Sequence, residues 1–159
     1  MSLLQCAPSG ALAVGILLGP CLGAGVNDFT INLKVQSGGH EQTAISGQSA
    51  APPTFTAKAR EVVWVQWSAV NGVSGTPLSD VTLHVFMDRG DARAAAPKPG
   101  PKSLYESALI QDFEPGGKSS GEFRMPMPEP GTYFVRVETI GAAKKLGKEA
   151  AAAMQVSVP

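Results

Sequence analysis

The chain has 159 residues, with 13 Lys and Arg against 13 Asp and Glu, so its formal net charge is zero with neutral histidines. That balance excludes recognition of nucleic acid or anionic lipid through a global field, and leaves partners to be selected by local shape and chemistry. At 43% hydrophobic and 16% charged residues, the composition is that of one globular domain, with only two Cys and two His to supply thiol or imidazole chemistry.

Residues 1–27 carry no charged side chain, and their centre, Ala11-Leu-Ala-Val-Gly-Ile-Leu-Leu18, is an apolar run that stops at Gly19-Pro20. A run of about eight residues has the length of a signal-peptide core, whereas spanning a bilayer takes roughly twenty. The expectation is therefore an export signal over 1–24, cleaved after Leu22-Gly23-Ala24, and no transmembrane anchor. No Lys or Arg precedes the core, so the terminal amine alone supplies the positive charge. Pro20 in front of Cys21 argues against lipidation, because lipobox patterns want a small residue there. Cleavage after Ala24 would remove Cys6 and Cys21 together. The mature domain, 25–159, would then hold no disulfide, thiol nucleophile or thiolate ligand.

Beyond residue 28 the dominant pattern is period two, which places alternate side chains on one face of a strand. Phe29, Ile31, Leu33 and Val35 alternate with polar residues, as do Val63, Val65, Trp67 and Ala69. The same spacing recurs at Val81, Leu83, Val85 and Met87, at Tyr133, Val135 and Val137, and at Met154, Val156 and Val158. Shorter strands are expected over 54–58, 104–113 and 120–125. Segment 38–53, rich in Gly, Ser and Gln, reads as irregular, and 89–103, with Ala94-Ala-Ala-Pro-Lys-Pro-Gly-Pro101, reads as a long exposed loop because its prolines lack strand donors. The helix-friendly stretch 142–153 is too short and too weakly amphipathic to predict a stable helix. Seven to eight short strands with turns at Ser37-Gly38-Gly39, Asn71-Gly72, Pro115-Gly116-Gly117 and Pro130-Gly131 describe an all-β antiparallel sandwich. The lack of amphipathic crossover helices excludes a βαβ arrangement.

The segments Glu61-Val-Val-Trp-Val-Gln-Trp67, Pro77-Leu-Ser-Asp-Val-Thr-Leu83, Phe113-Glu-Pro-Gly116 and Pro130-Gly-Thr-Tyr-Phe-Val-Arg-Val137 together resemble bacterial CARDB and NEW3-type immunoglobulin-like domains over about residues 54–159. The resemblance implies an immunoglobulin-like sandwich and a noncatalytic role in binding, adhesion or structural support at the cell envelope or exterior. It implies no functional residue. The Tyr133 ring is expected to point inward near a sheet corner.

For contacts, Trp64, Phe86 and Phe134 stand out of phase with the inward residues. If their strands share a sheet, they form an outer aromatic patch among His84, Arg136 and Glu138, the look of an interaction surface. The competing expectation is that the N-terminal strand or the long loop covers this face and buries the aromatics. The partner would be a protein or an envelope polymer. A second function class is a periplasmic copper or other metal protein, with His84, Met125 and Met127 as a weak set of soft ligands and His40, Met87 and Met154 as further ones. Strand alternation places His84 and Met87 on opposite faces and counts against it. No nucleophile elbow, phosphate loop or zinc-protease helix is present, so no enzyme activity and no cofactor is expected. Carboxylates such as Glu106 and Asp112 could meet in space, and Arg89-Gly90-Asp91 spells an adhesion tripeptide that ordinary turn chemistry explains. Lys144, Lys145 and Lys148 make a small basic turn, and solvation explains it.

Overall fold

A computed structural model describes residues 28–48, 50–90 and 103–159. The proposed signal segment, both cysteines and most of the long loop lie outside the described residues. The elements in order are β1 (Phe29–Ser37), β2 (His40–Ile45), β3 (Thr54–Thr56), β4 (Val62–Asn71), β5 (Leu78–Arg89), β6 (Tyr105–Phe113), β7 (Lys118–Pro126), β8 (Gly131–Ile140), the single turn α1 (Ala143–Leu146) and β9 (Ala151–Val158). They form a four-stranded sheet, β2-β1-β4-β7, and a five-stranded sheet, β3-β9-β8-β5-β6. The chain crosses between the sheets after β2, β3, β4, β6 and β7, which makes this an immunoglobulin-like β-sandwich, as expected. Among the described residues, no helix is long and apolar enough to cross a membrane.

Two details differ from the expectation. Among the described residues there are nine strands, because the segment read as irregular contains β2. Four of its six residues, His40 to Thr43, are exposed and only Ala44 is buried, so β2 carries no apolar alternation to betray it. Its signal is the turn: Gly38 and Gly39 sit at φ +54° and +81° between the paired Ser37 and His40, the two-residue hairpin that needs positive φ at both positions. The sheets are also not wholly antiparallel, since the short β3 runs parallel to β9, with Phe55 beside Val156.

The alternation read from the sequence builds the core. Ile31, Leu33, Val35, Val63 and Val65 of one sheet and Leu83, Met87, Val135, Val137, Met154 and Val156 of the other all lie inside, where apolar burial supplies most of the stabilisation. One open side of the sandwich is closed by Tyr105 of β6 stacked on Phe123 of β7, with ring centroids 3.8 Å apart. Beside this pair, Trp67 packs on its cross-strand neighbour Gly121, where an added Cβ would stand 2.6 Å from the indole Cζ2. Tyr133 points inward, and its hydroxyl donates to the Glu129 carbonyl at 2.7 Å, a tyrosine corner that pins the entry to β8.

The helix-friendly stretch yields only α1, ended by Gly147 at φ +75°, before β9 begins at Ala151. Glu149 folds back over the start of this turn and accepts the backbone N–H groups of Gly141, Ala142 and Ala143 and the Thr139 hydroxyl. Partial burial alone would raise its carboxyl, but these four donors outweigh burial and hold it below the ordinary glutamate value.

Two outcomes follow. Gly121→Ala forces the indole of Trp67 to move and lowers stability in urea unfolding by about 1–3 kcal/mol. Glu149→Gln, on an exposed carboxylate, lowers stability at neutral pH by at most about 1 kcal/mol. A lowered folded pKa stabilises fully above the unfolded value of 4.5, so the gap between wild type and variant closes as pH falls below it.

Candidate functional site

The outer faces of the two sheets carry the residues singled out in the sequence, and the sandwich divides them. Trp64 lies in β4 of the four-stranded sheet; His84 and Phe86 of β5 and Phe134, Arg136 and Glu138 of β8 lie on the outer face of the other sheet. The expected single patch therefore does not form, because a sandwich about 10 Å thick separates Trp64 from the rest.

On the five-stranded sheet the group is closed on itself. His84 faces Glu106 through Nε2 at 3.0 Å and Glu138 through Nδ1 at 3.5 Å, and the Arg136 Nε–H donates to Glu138 at 2.6 Å. Phe86 lies beside the His84 ring, 5.0 Å between centroids, and meets Phe134 edge-on at 5.8 Å. Of the two expectations for these aromatics the structure takes burial over exposure: Phe86 and Phe134 are 0% and 3% exposed. The N-terminal strand does not cover them, since β1 belongs to the opposite sheet, and loop segment 91–102 lies outside the described residues. Cross-strand registry flanks Phe86 with Glu106 on one side and Arg136 on the other. The polar groups here are spent on one another, which is how a buried network supports a face. Asp112 does not join Glu106; it accepts the Asp80 N–H instead.

The four-stranded sheet presents the opposite picture. Trp64 stands between Gln36 of β1 and Arg124 of β7, and the Arg124 guanidinium lies 4.8 Å over the indole. The indole Nε1–H is buried yet finds no acceptor among the described residues. A groove of about 470 Å³ runs from Arg124 and Trp64 across Gln36 to the β1–β2 turn at Ser37, Gly38, Gly39 and His40. On the far side of that turn a second cavity of about 610 Å³ opens between β2 and β3, lined by Phe55, Lys58 and Glu61 among others. The Lys58 backbone N–H donates to Glu61 and holds its carboxyl below the ordinary value. The turn is tightly seated there, since a Cβ on Gly38 would lie 2.6 Å from Glu61 Oε1. Of the groove residues the sequence singled out Trp64 as a contact and His40 as a spare ligand; Gln36 and Arg124 join only through strand pairing.

The soft metal ligands are likewise dispersed. His84 is on an outer face, whereas Met127, Met87 and Met154 are core residues and Met125 packs against the core from β7. Among the described residues no three His, Cys, Asp or Glu gather as a metal site. Arg89 belongs to β5, where it binds Glu129 at 3.1 Å and the Pro130 carbonyl at 3.2 Å; Asp91 lies outside the described residues. The basic turn is engaged as well, Lys145 with the Pro77 carbonyl and Lys148 with Asp28.

The two glutamates beside His84 differ in consequence. Glu138, 22% exposed, serves both His84 and Arg136, while Glu106 is 50% exposed. In urea unfolding at neutral pH, Glu138→Gln costs about 1–3 kcal/mol and Glu106→Gln less than about 1 kcal/mol.

No family model matches the chain, and no curated protein matches it. Among solved structures, the chain is similar to the crystal structure of the C-terminal domain of Wzt, at 11% identity and a TM-score of 0.41, over 80% of this chain and 71% of that one.

Proposed function

We propose that the protein is an exported, noncatalytic binding domain of the bacterial cell envelope or exterior, which holds a protein or envelope polymer on the outer face of its four-stranded sheet. The observation that carries this reading is the Trp64 groove. A large amphipathic ring stands half-buried on an outer sheet face with Arg124 over it, and a hairpin turn walls one end. Trp and Arg are the side chains that dominate binding energy at recognition surfaces, and here they are stacked on each other at the groove. The uncharged, apolar opening segment supports export. The self-paired state of His84 supports a noncatalytic role, because both ring nitrogens are occupied by carboxylates of its own sheet.

Expression of the full chain in a bacterial host, followed by fractionation and intact mass, tests the address: the periplasmic product begins at Gly25. Cytoplasmic material retaining residues 1–24 contradicts it. Co-sedimentation with isolated envelopes of the source bacterium tests the face. Wild type pellets with them, and Trp64→Ala does not; equal pelleting of the two proteins contradicts the groove.

A further inference from the structure

We infer that the protein pairs with a second copy of itself along β6, the outer strand of the five-stranded sheet. This interface is independent of the Trp64 groove, which lies on the face of the other sheet. A strand at the rim of a sheet presents unpaired main-chain groups, and proteins guard such rims with short strands, Lys, Pro or bulges. Among the described residues, three of the four rims are guarded. β3 has three residues, β2 has six of which the first four are polar and exposed, and β7 carries Lys118, Arg124 and Pro126. β6 runs for nine residues without Lys, Arg, Pro or Gly, and its Leu109 and Ile110 are 44% and 68% exposed. Its two charges are engaged at home, Glu106 with His84 and Asp112 with the Asp80 N–H.

The direction of the main chain can be read from the pairing. The Gly90 N–H donates to the Thr132 carbonyl, so even-numbered residues of β5 bond β8 and odd-numbered ones bond β6. Because Val85 pairs with Ser107 and Leu83 with Leu109, the N–H and C=O groups of Glu106, Ala108 and Ile110 point outward. Behind this rim a cleft of about 220 Å³ opens between β6 and β7, lined by Trp67, Leu83, Val85, Tyr105, Ser107 and Gly121. The Tyr105–Phe123 stack closes one end, and the Ser119 hydroxyl, donating to Gln111 at 3.2 Å, closes the other.

Two β6 strands related by a two-fold axis perpendicular to the sheet run antiparallel, and residues that meet must share a face. An axis at Ala108 sets Ala108 against itself, Glu106 against Ile110, and Leu109 against Ser107. The three outward residues of each copy then exchange about six main-chain hydrogen bonds. Each exposed Leu109 also arrives at the mouth of the other copy's cleft, beside the small Ser107. Moving the axis to Leu109 or Ile110 brings Glu106 level with Asp112 or Glu114, like charges that repel, and moving it to Ser107 shortens the ladder. This match of an apolar side chain with an apolar slot, repeated by symmetry, selects a second copy over an arbitrary peptide.

Sedimentation equilibrium of the full chain tests the interface. Wild type is a dimer at about 100 µM and dissociates on dilution, as a small interface does. Leu109→Lys carries a charge to the cleft of the other copy and weakens association about tenfold or more, with an unchanged circular dichroism spectrum. Ile110→Glu, placed against Glu106 of the second copy, weakens it comparably, whereas Ile110→Lys, placed against the same carboxylate, does not. In protein carrying Cys6→Ser and Cys21→Ser, a short bis-maleimide joins Ala108→Cys to itself, but not Thr43→Cys on the opposite rim. A wild type that stays monomeric at that concentration, a dimer that both Leu109→Lys and Ile110→Glu leave intact, or an Ala108→Cys that fails to crosslink overturns the proposal.

Discussion

The Asn71 side chain sits where two of the chain's crossings between the sheets meet. It is fully buried at the end of β4, and its Nδ2 donates to the carbonyls of Thr76, Phe113 and Glu114, while Oδ1 accepts the Val73 N–H. Its backbone N–H donates to the Gly117 carbonyl and its carbonyl accepts the Gly116 N–H. One of these crossings carries the chain from β4 to β5 and the other from β6 to β7, so one amide ties two hand-overs between the sheets. Burying that amide is tolerable only because each of its hydrogen-bonding groups is met. With those corners held, the inner faces of the two sheets close over each other, and the described fold holds by burial and hydrogen bonds.

That closure divides the labour of β4. Trp64 and Trp67 are an odd number of residues apart, so the strand turns them to opposite faces. Trp67 is spent on packing against Gly121, in a slot shaped by the absence of a side chain. Trp64 is left on the outside with a stacked guanidinium and an unmatched N–H. The same parity explains the outer face of the five-stranded sheet, where His84 and Phe86 arise from the alternation that sends Leu83, Val85 and Met87 inward. There the polar groups found partners within the sheet, and the face became structural.

Strands whose inner residues are large and apolar were legible in the sequence: β1, β4, β5, β8 and β9 follow from alternation alone, and Tyr133 from its place after a Pro-Gly turn. β2 was not, because an edge strand that buries only Ala44 needs no apolar period. The parallel β3–β9 pairing is a matter of topology, which local pattern does not encode. The same limit governs the site. Trp64 stood out by being out of phase, but its neighbours Gln36 and Arg124 come from strands 28 and 60 residues away, counting from the paired positions. Grouping it with Phe86 and Phe134 assumed a shared sheet that the pairing denies. The burial of those two rings also depends on cross-strand neighbours, Glu106 and Arg136, that come from two different strands. Glu149 was invisible because its partners are backbone N–H groups.

The most direct test of the account is nuclear magnetic resonance of uniformly ¹⁵N-labelled protein titrated with a solubilised extract of bacterial cell envelopes. The chain has two tryptophans and so two indole N–H signals. The account predicts that the Trp64 signal shifts together with amides of β1, β4 and β7, while the Trp67 signal stays in place. Shifts confined to β5 and β8, or a titration that moves neither indole, would contradict it.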